Sequence, residues 1–164
     1  MSKPRVAVYP GTFDPFTKGH LGIAERASKL FDKVVIAVSD HSKKSTMFSL
    51  KIRCKMAKNA TSHLPNVDVE PFDHLLVEFV KSHQASVVVR GLRVSADFEY
   101  EFQMARFIHD QDDEVEIIYL MAPTDTLHIS SSAIKEVAAL GGDISNYVPE
   151  EVRKVLEDKY TKSA

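Results

Sequence analysis

The stretch from Gly11 to His20 holds the residues best suited to chemistry, because it follows the apolar run Val6–Tyr9 with only Pro10 between them. This pattern predicts a buried strand, a turn and then the first turn of a helix. Backbone N–H groups at a helix start lack intrahelical partners and carry partial positive charge, so they bind phosphate. His20 would project from that first turn toward the anion. Gly11 would let the chain turn without a Cβ clash, and Gly19 would leave room for a nucleotide against the backbone.

The segment Thr17–His20 reads T-K-G-H and resembles the T/H-x-G-H motif of the nucleotidyltransferase superfamily. It follows Gly11–Pro15, which reads G-T-F-D-P and is similar to the G-x-F-D-P turn of the same superfamily. The four residues alone fit an ordinary capped helix start equally well. The turn and the strand before them favour the nucleotide-binding interpretation.

Basic and hydroxyl side chains follow the other predicted strands. Lys43 and Lys44 come after the second strand, Arg90 and Arg93 after the fourth, and the run His128–Ser132 after the fifth. The carboxyl ends of parallel strands gather at one edge of a sheet, so these groups would meet there. Arginine forks, lysine charges and helix starts together predict a polyphosphate site, and the serines offer more hydroxyls than one helix cap requires. The sequence has no Walker A or G-x-G-x-x-G motif, which weakens P-loop and NAD-binding interpretations.

Short β-branched runs alternate with segments of helical period, which is typical of a parallel sheet flanked by helices. We predict an α/β fold: a Rossmann-like open five-stranded parallel sheet with helices on both faces, in a single domain over residues 1–164, which the resemblance above implies to be a nucleotidyltransferase domain. The predicted strands are Arg5–Tyr9, Lys33–Val38, Val67–Glu70, Ser86–Val89 and Glu116–Leu120.

Apolar side chains at helical spacing predict which helix faces are buried. Ser49 is expected to cap a helix that carries Ile52, Met56 and Ala60 inward. A further helix is expected over about Ala96 to His109, another near Ser130, and a last one that has Pro149 in its first turn. The other predicted apolar positions are Leu21, Ile23, Ala24, Ala27, Leu30 and Phe31 in the first helix, Leu75, Leu76, Phe79 and Val80 in another, and Phe98, Phe102, Ala105 and Phe107 in the Ala96 helix.

The composition excludes several classes of protein. A formal net charge of −2 predicts neither a nucleic-acid-binding coat nor attachment to a membrane, and no apolar run is long enough to span one. Cys54 is the only cysteine, so we expect no disulfide and no cysteine metal cluster. These features and the absence of a signal-peptide pattern predict a cytoplasmic protein.

Five motifs in order resemble the bacterial phosphopantetheine adenylyltransferase family over nearly the whole chain. They are Tyr9–Pro15, Lys44 with Met47-Phe48, Arg90–Arg93, Ala96–Glu101 and Ile129–Ser132. The second motif departs from the common family form Ser-Lys-Lys-x-Met-Phe, because this chain has an additional residue before Met47. Either Lys43 or Lys44 could therefore be the substrate lysine, and counting back from Met47 favours Lys44.

This resemblance implies transfer of the adenylyl group of ATP to 4′-phosphopantetheine, which gives dephospho-coenzyme A and pyrophosphate, with Mg²⁺ as cofactor and a homohexamer as the assembly. His20 would be the transition-state stabiliser. Thr12, Lys44, Leu76 and Arg90 would bind phosphopantetheine. The residues that the resemblance assigns to ATP are Thr12, Phe13, His20, Gly91, Leu92, Arg93, Glu101, Thr126, Leu127, His128, Ile129, Ser130, Ser131 and Ser132. The direct metal ligands stay open.

The acceptor phosphate is largely dianionic near pH 7, because its second pKa is about 6, so the reaction needs no general base. His20 and the cations should therefore act by positioning and by stabilising charge in the transition state.

Other functions remain as alternatives. A cytidylyltransferase or a pyridine-mononucleotide adenylyltransferase could share the first motif, although cytidylyltransferases usually carry His-x-Gly-His and Arg-Thr-x-Gly-Ile-Ser. A flavodoxin-like regulatory module would explain the alternating pattern without catalysis. Such a module would not need both His20 and Arg90 at strand ends.

Overall fold

The computed structural model of the chain describes residues 3–40, 45–93 and 95–161. Its strands form one parallel five-stranded sheet in the order β3-β2-β1-β4-β5, which confirms the predicted fold class. The strands are β1 (Val6–Gly11), β2 (Lys33–Ser39), β3 (Val67–Phe72), β4 (Val87–Leu92) and β5 (Glu116–Met121).

Helices follow the strands in alternation. They are α1 (Lys18–Leu30), α2 (Leu50–Ala60), α3 (Leu76–Ser82), α4 (Ser95–Gln111), α5 (Ser131–Ala139) and α6 (Glu150–Thr161), with a short 3₁₀ turn over Thr124–Thr126. Within the described ranges, none of these helices has the length and apolar character needed to cross a membrane.

The sheet is packed on both faces because alternate strand residues point in opposite directions. In β1, Ala7 and Tyr9 belong to a core that includes residues of α1, α2, α5 and α6. Val8, between them, belongs to a second core that includes residues of α3 and α4. The predicted arrangement of helices on both faces is therefore confirmed.

The strands run further toward their carboxyl ends than the sequence predicted. Backbone pairing continues beyond the predicted strand ends: Gly11 lies opposite Val38, and Leu92 lies opposite Met121. Gly11 is thus the last residue of β1, and the expectation that it forms the turn is wrong. A Cβ on Gly11 would lie 2.7 Å from the Phe13 ring, so the glycine is needed for this close approach.

The predicted apolar faces of the first three helices are buried for the most part, but some of the predicted positions are exposed. In α2 the buried positions are Arg53, Met56, Ala57 and Ala60, and Ile52 is exposed. Ser49 precedes α2 as predicted, but its side chain makes no capping hydrogen bond. The remaining predicted apolar positions that are exposed are Leu30, Leu75, Phe98, Phe102 and Phe107. The periodicity of apolar residues identified the helices, but it did not show which of those residues are buried by neighbouring elements.

A close helix contact gives a stability prediction. A Cβ on Gly22 in α1 would lie 2.4 Å from Cγ of Pro123, in the segment after β5. We expect Gly22→Ala to lower the free energy of unfolding by about 1–3 kcal/mol, because overpacking forces the backbone apart. Gly19→Ala is the matched control on the same helix, since its Cβ would meet nothing nearer than Thr17 Oγ1 at 3.5 Å. Urea unfolding measures both, and equal effects would contradict the contact.

Candidate active site

A cavity of about 740 Å³ opens at the carboxyl edge of the sheet. The chain passes from β1 to β2 and β3 on one side of β1, then crosses back to β4 and β5 on the other. Ligands in open α/β sheets bind at such a switch point between strands. The cavity wall takes residues from the ends of β1, β2, β3 and β4, from α1 and α4, and from the start of α5.

His20 lies in this wall as the third residue of α1 and is part of the helix cap. The Thr17 hydroxyl accepts a hydrogen bond from the backbone N–H of His20 at 3.2 Å. In return, Nδ1 of His20 accepts a hydrogen bond from the backbone N–H of Thr17 at 3.0 Å. This reciprocal capping box normally uses Glu or Gln at the position that His20 holds here.

The cap fixes the tautomer of the His20 ring, and burial keeps the ring neutral. Because Nδ1 accepts a hydrogen bond, the proton of the neutral ring lies on Nε2. Burial lowers the pKa of His20 to about 4, and the positive charge of Arg93 contributes in the same direction. The ring is therefore neutral near pH 7, and Nε2–H, which has no partner in the described residues, is a donor available to a bound anion.

Phe13 holds the His20 ring from one side. Its own ring is buried and meets the His20 ring edge to face, with centroids 5.0 Å apart and planes at 86°. The backbone of Phe13 has φ 51°, in the left-handed region that non-glycine residues rarely adopt. Such strain persists only where the surroundings enforce it, and it clusters at functional sites.

Arg90 and Glu101 form a two-bonded ion pair in the cavity wall. Nε and Nη2 of Arg90 donate to the two carboxylate oxygens of Glu101 at 2.7 and 2.6 Å. Burial opposes the charged form of Arg90, but the hydrogen-bonded Glu101 carboxylate outweighs it and raises the arginine pKa. Nη1 makes no hydrogen bond within the described residues, so one edge of the guanidinium is left for a ligand.

Arg93 joins two parts of the site. Its backbone N–H, Nε and Nη2 donate to the Asp97 carboxylate of α4, at 3.2, 3.3 and 3.3 Å. Nη1 donates to the carbonyl of Ile129 at 2.9 Å. The guanidinium therefore holds the start of α4 against the segment that enters α5.

The three serines before and within α5 do different things. The Ser130 hydroxyl caps α5 by accepting from the Ala133 N–H at 3.2 Å. The Ser131 hydroxyl donates to the Pro15 carbonyl at 3.0 Å, which ties α5 to the first loop. Ser132 lines the cavity and its hydroxyl has no partner in the described part of the chain, so it is the serine whose side chain is available to phosphate.

Asp14 is a site residue to which the sequence analysis gave no role. Its buried carboxylate accepts from the backbone N–H groups of Met47 at 2.8 Å and Phe48 at 3.0 Å. Lys135 of α5 pairs with the same carboxylate at 3.1 Å. Asp14 thus connects three parts of the chain: its own loop after β1, the segment before α2, and helix α5. An acidic residue inside an otherwise apolar and small-residue turn was the signal that could have found it.

The structure brings most of the predicted site residues to one cavity wall. Those that line it are Thr12, Phe13, His20, Leu76, Arg90, Gly91, Arg93, Glu101, Ile129, Ser130, Ser131 and Ser132. Lys44, and Lys43 beside it, lie outside the described residues. Asp97, Tyr100 and Met104 also line the cavity, and the sequence analysis gave them no role, although Asp97 and Tyr100 lie within the Ala96–Glu101 motif. Asp97 and Met104 lie four residues before and three residues after Glu101, so helical spacing from Glu101 could have found these two.

The other four predicted ATP residues are not in the wall. Leu92 ends β4 opposite Met121, and Leu127 packs against the main core. Thr126 is buried, and its hydroxyl donates to the Pro123 carbonyl at 2.8 Å. The His128 ring meets the Tyr147 ring edge to face at 5.8 Å.

Comparisons with known proteins agree with this geometry. The family model described as cytidylyltransferase-like matches residues 8–137. The chain is 47% identical to a phosphopantetheine adenylyltransferase of Nautilia profundicola over 150 residues, which cover 92% of this chain and 97% of that protein. It is also 47% identical to a phosphopantetheine adenylyltransferase of Clostridium beijerinckii, over 90% of this chain and 93% of that protein.

A solved structure supports the fold. A putative nicotinate-nucleotide adenylyltransferase from Vibrio parahaemolyticus superposes with a TM-score of 0.72, covering 94% of this chain and 99% of that one. At 21% sequence identity this similarity shows the fold alone. The relatives of much higher identity decide the family, and by them this chain belongs to the phosphopantetheine adenylyltransferases.

Proposed function

We propose that this protein transfers the adenylyl group of ATP to 4′-phosphopantetheine, giving dephospho-coenzyme A and pyrophosphate in coenzyme A biosynthesis. The observation that carries the proposal is the convergence of His20, Arg90 and Arg93 on one cavity at the switch point of the sheet. The activity of the relatives, phosphopantetheine adenylyltransferases, supports phosphopantetheine as the acceptor and an adenylyl donor.

The reaction proceeds by direct attack of the acceptor phosphate, without a covalent intermediate. A phosphate oxygen of phosphopantetheine forms a bond to the α-phosphorus of ATP, and the bond from that phosphorus to the pyrophosphate oxygen breaks. The acceptor is already charged near pH 7, so no protein group has to remove a proton. The protein contributes alignment and a complementary electrostatic field.

His20 donates from Nε2–H to a non-bridging oxygen of the α-phosphate, where negative charge develops. A neutral imidazole suits this role because its position is set in advance by the cap with Thr17. Preorganised donors of this kind stabilise the transition state without reorganising during the reaction. Thr12 lies in the same wall and contacts both substrates at the reacting phosphates.

Arg90 and Lys44 hold the acceptor phosphate, and Leu76 contacts the pantetheine arm. Phe72, Tyr100 and Met104 surround the same cavity and extend its apolar wall. Gly91, Arg93 and the segment 129–132 bind ATP from the cavity wall, with Ser132 and the free N–H groups at the start of α5 directed at its phosphates. Phe13 lies on the same side, and Glu101 contributes by holding Arg90.

When bound together with ATP, Mg²⁺ would supply positive charge that stabilises the leaving pyrophosphate. Each acidic side chain lining the cavity already pairs with a basic one: Asp14 with Lys135, Asp97 with Arg93 and Glu101 with Arg90. The described residues hold no group of three or more potential metal ligands. ATP phosphates and water would hold the ion, as is common for Mg²⁺.

The direct test is product formation. The protein is incubated with ATP, MgCl₂ and 4′-phosphopantetheine, and dephospho-coenzyme A is detected by mass spectrometry alongside pyrophosphate. CTP in place of ATP, and nicotinamide mononucleotide in place of phosphopantetheine, test the two related transferases. Product with either replacement and none with the proposed pair would refute the assignment. Thermal shifts with the same ligands and with FMN test a binding module, because a ligand at 100 times its Kd stabilises by roughly 2.7 kcal/mol.

The pH dependence of kcat distinguishes the acceptor phosphate from His20. Because burial lowers the pKa of His20 to about 4, the histidine stays neutral down to that pH. We expect the acidic limb of kcat to follow the acceptor phosphate, near about 6 before the site perturbs it. At saturating substrates, His20→Gln should lower the activity and keep the limb. Loss of the limb in this variant would show that His20 titrates in the mechanism.

A homohexamer in the cytoplasm is the proposed assembly and compartment. The edge strand β5 and helix α4 expose Phe98, Phe102, Phe107 and Met121, and the Phe98 and Phe102 rings stack 6.1 Å apart. Exposed apolar patches of this kind mark protein interfaces, and copies of the same chain are the proposed partners. Sedimentation equilibrium tests the assembly, and the Phe102→Glu variant should form smaller species. A monomeric wild type would contradict the proposed hexamer.

The proposed compartment is the cytoplasm, because a single cysteine agrees with a reducing compartment.

A further inference from the structure

Arg53 of α2 is a buried arginine that does not line the cavity. Its side chain is 2% exposed, yet the neighbouring helix residue Ile52 faces solvent. Burying a guanidinium is costly unless its charge and its donors find partners. The hydrogen-bond partners of Arg53 therefore indicate which role this buried side chain has in the protein.

The guanidinium joins two loops and the end of β2 at the carboxyl edge of the sheet. Nη1 donates to the carbonyl of Thr12 at 2.7 Å and to the carbonyl of Ser39 at 2.8 Å. Nε donates to the carbonyl of Phe48 at 3.1 Å. Nη2 lies 3.8 Å from the Asp40 carboxylate. These carbonyls come from the loop after β1, the end of β2 and the segment before α2.

Only arginine can make this arrangement. Its planar fork presents five donors in fixed directions, whereas the lysine ammonium is a single point with three. One rigid plane that meets three carbonyls fixes their positions relative to one another. Replacing Arg53 removes this donor from the Thr12 and Phe48 carbonyls, and the loop after β1 can then separate from the segment before α2.

The loop that Arg53 holds is the one that contacts His20. Thr12 precedes Phe13, whose left-handed backbone places its ring against the His20 ring. From the other side, Asp14 accepts from the N–H of Phe48, while Arg53 donates to the carbonyl of the same residue. The segment 12–14 is thus held at Thr12 by Arg53 and at Asp14 by the chain before α2. The strained Phe13 lies between these two attachments.

We infer that Arg53 is a positioning residue for adenylyl transfer: by holding the Thr12 carbonyl, it keeps Thr12 and Phe13 aligned with His20 without touching either substrate. The inference deepens the proposed function and rests on it. Misplacement of reacting groups by about 1 Å can cost 10²-fold in rate, so a change at this distance from the substrates is expected to be large.

The test compares Arg53→Ala and Arg53→Lys with Val115→Ala. Val115 is a buried residue next to the amino end of β5, so its truncation destabilises the protein without reaching the site. Each variant is assayed well below its own melting temperature.

We expect both Arg53 variants to lose roughly 10²-fold in kcat, with the KM for ATP changed less than about threefold. Millimolar guanidinium should restore part of the kcat of Arg53→Ala. Val115→Ala should keep the wild-type kcat at every guanidinium concentration.

A second readout does not depend on activity. In histidine ¹H–¹⁵N spectra, His20 of the Arg53→Lys variant should titrate closer to the ordinary histidine pKa of about 6.5, because the Phe13 ring no longer covers it. If Arg53→Ala does not fold, Arg53→Lys carries both measurements. Wild-type kcat and a wild-type His20 titration in Arg53→Lys would overturn the inference. A wild type that makes no dephospho-coenzyme A would instead overturn the proposed function, and the His20 titration would still decide the role of Arg53.

Discussion

Replacing His20 with alanine is expected to lower kcat by about 10²–10³-fold and to leave the KM for ATP within a few-fold of the wild type. The loss corresponds to one preorganised donor that acts on charge formed in the transition state. The structure makes this donor explicit: Nδ1 accepts from the Thr17 N–H, so the neutral ring presents Nε2–H to the cavity. Steady-state kinetics with both substrates varied measures the two parameters.

Part of the His20 side chain serves the helix cap, and a second variant separates that role from catalysis. Gln is a normal residue at this position of a capping box, so His20→Gln should keep α1 stable and still lose most of the activity. His63→Ala is the matched control, because His63 pairs with Glu25 at 3.1 Å on the exposed surface and does not line the cavity. Equal loss of ATP binding and turnover in His20→Ala would make His20 a ground-state ligand.

Arg90→Lys is expected to raise the KM for phosphopantetheine about 10- to 100-fold although the charge is kept. Glu101 occupies Nε and Nη2 of the guanidinium, and the phosphate must use the remaining Nη1 edge. A lysine cannot serve the carboxylate and the phosphate in this geometry. Losing a hydrogen bond between charged groups costs about 1.5–3 kcal/mol, and each 1.4 kcal/mol is a factor of ten.

Arg153→Lys is the matched control for Arg90. Arg153 makes the same kind of forked ion pair with Glu150 and Glu157, but on the exposed face of α6. It should leave both KM values unchanged. Lys44→Ala should impair acceptor binding as well, and a defect in Lys43→Ala alone would move that assignment by one residue. An unchanged acceptor KM in both Arg90→Lys and Lys44→Ala would remove these residues from the acceptor site.

The role of Glu101, the last residue of the Ala96–Glu101 motif, became clear only from the structure. The resemblance assigns it to ATP, and it does line the cavity, but its carboxylate is fully engaged by Arg90. In this structure the Glu101 side chain holds Arg90, which is itself a predicted substrate-binding residue. Thr126, Leu127 and His128 differ because none of them lines the cavity: Thr126 is buried, Leu127 packs against the main core, and the exposed His128 ring meets the Tyr147 ring.

The sequence by itself determined the order of strands and helices and the loops that carry the chemistry. Alternating β-branched runs and helical periods are local patterns, and the parallel connection of such units brings their strand ends to one edge. His20, Arg90 and Ser132 could therefore be assigned to one site although they are far apart in the chain.

Only the tertiary structure decided what holds those side chains in place. The carboxylate of Asp14 and the guanidinium of Arg53 act on backbone groups of other loops, at separations of 33 and 41 residues for Met47 and Thr12. No local pattern encodes such contacts, because they depend on which loops pack together and not on neighbouring residue types. The neutral state of His20 has the same origin, since burial and the charge of Arg93 arise only when the loops have assembled.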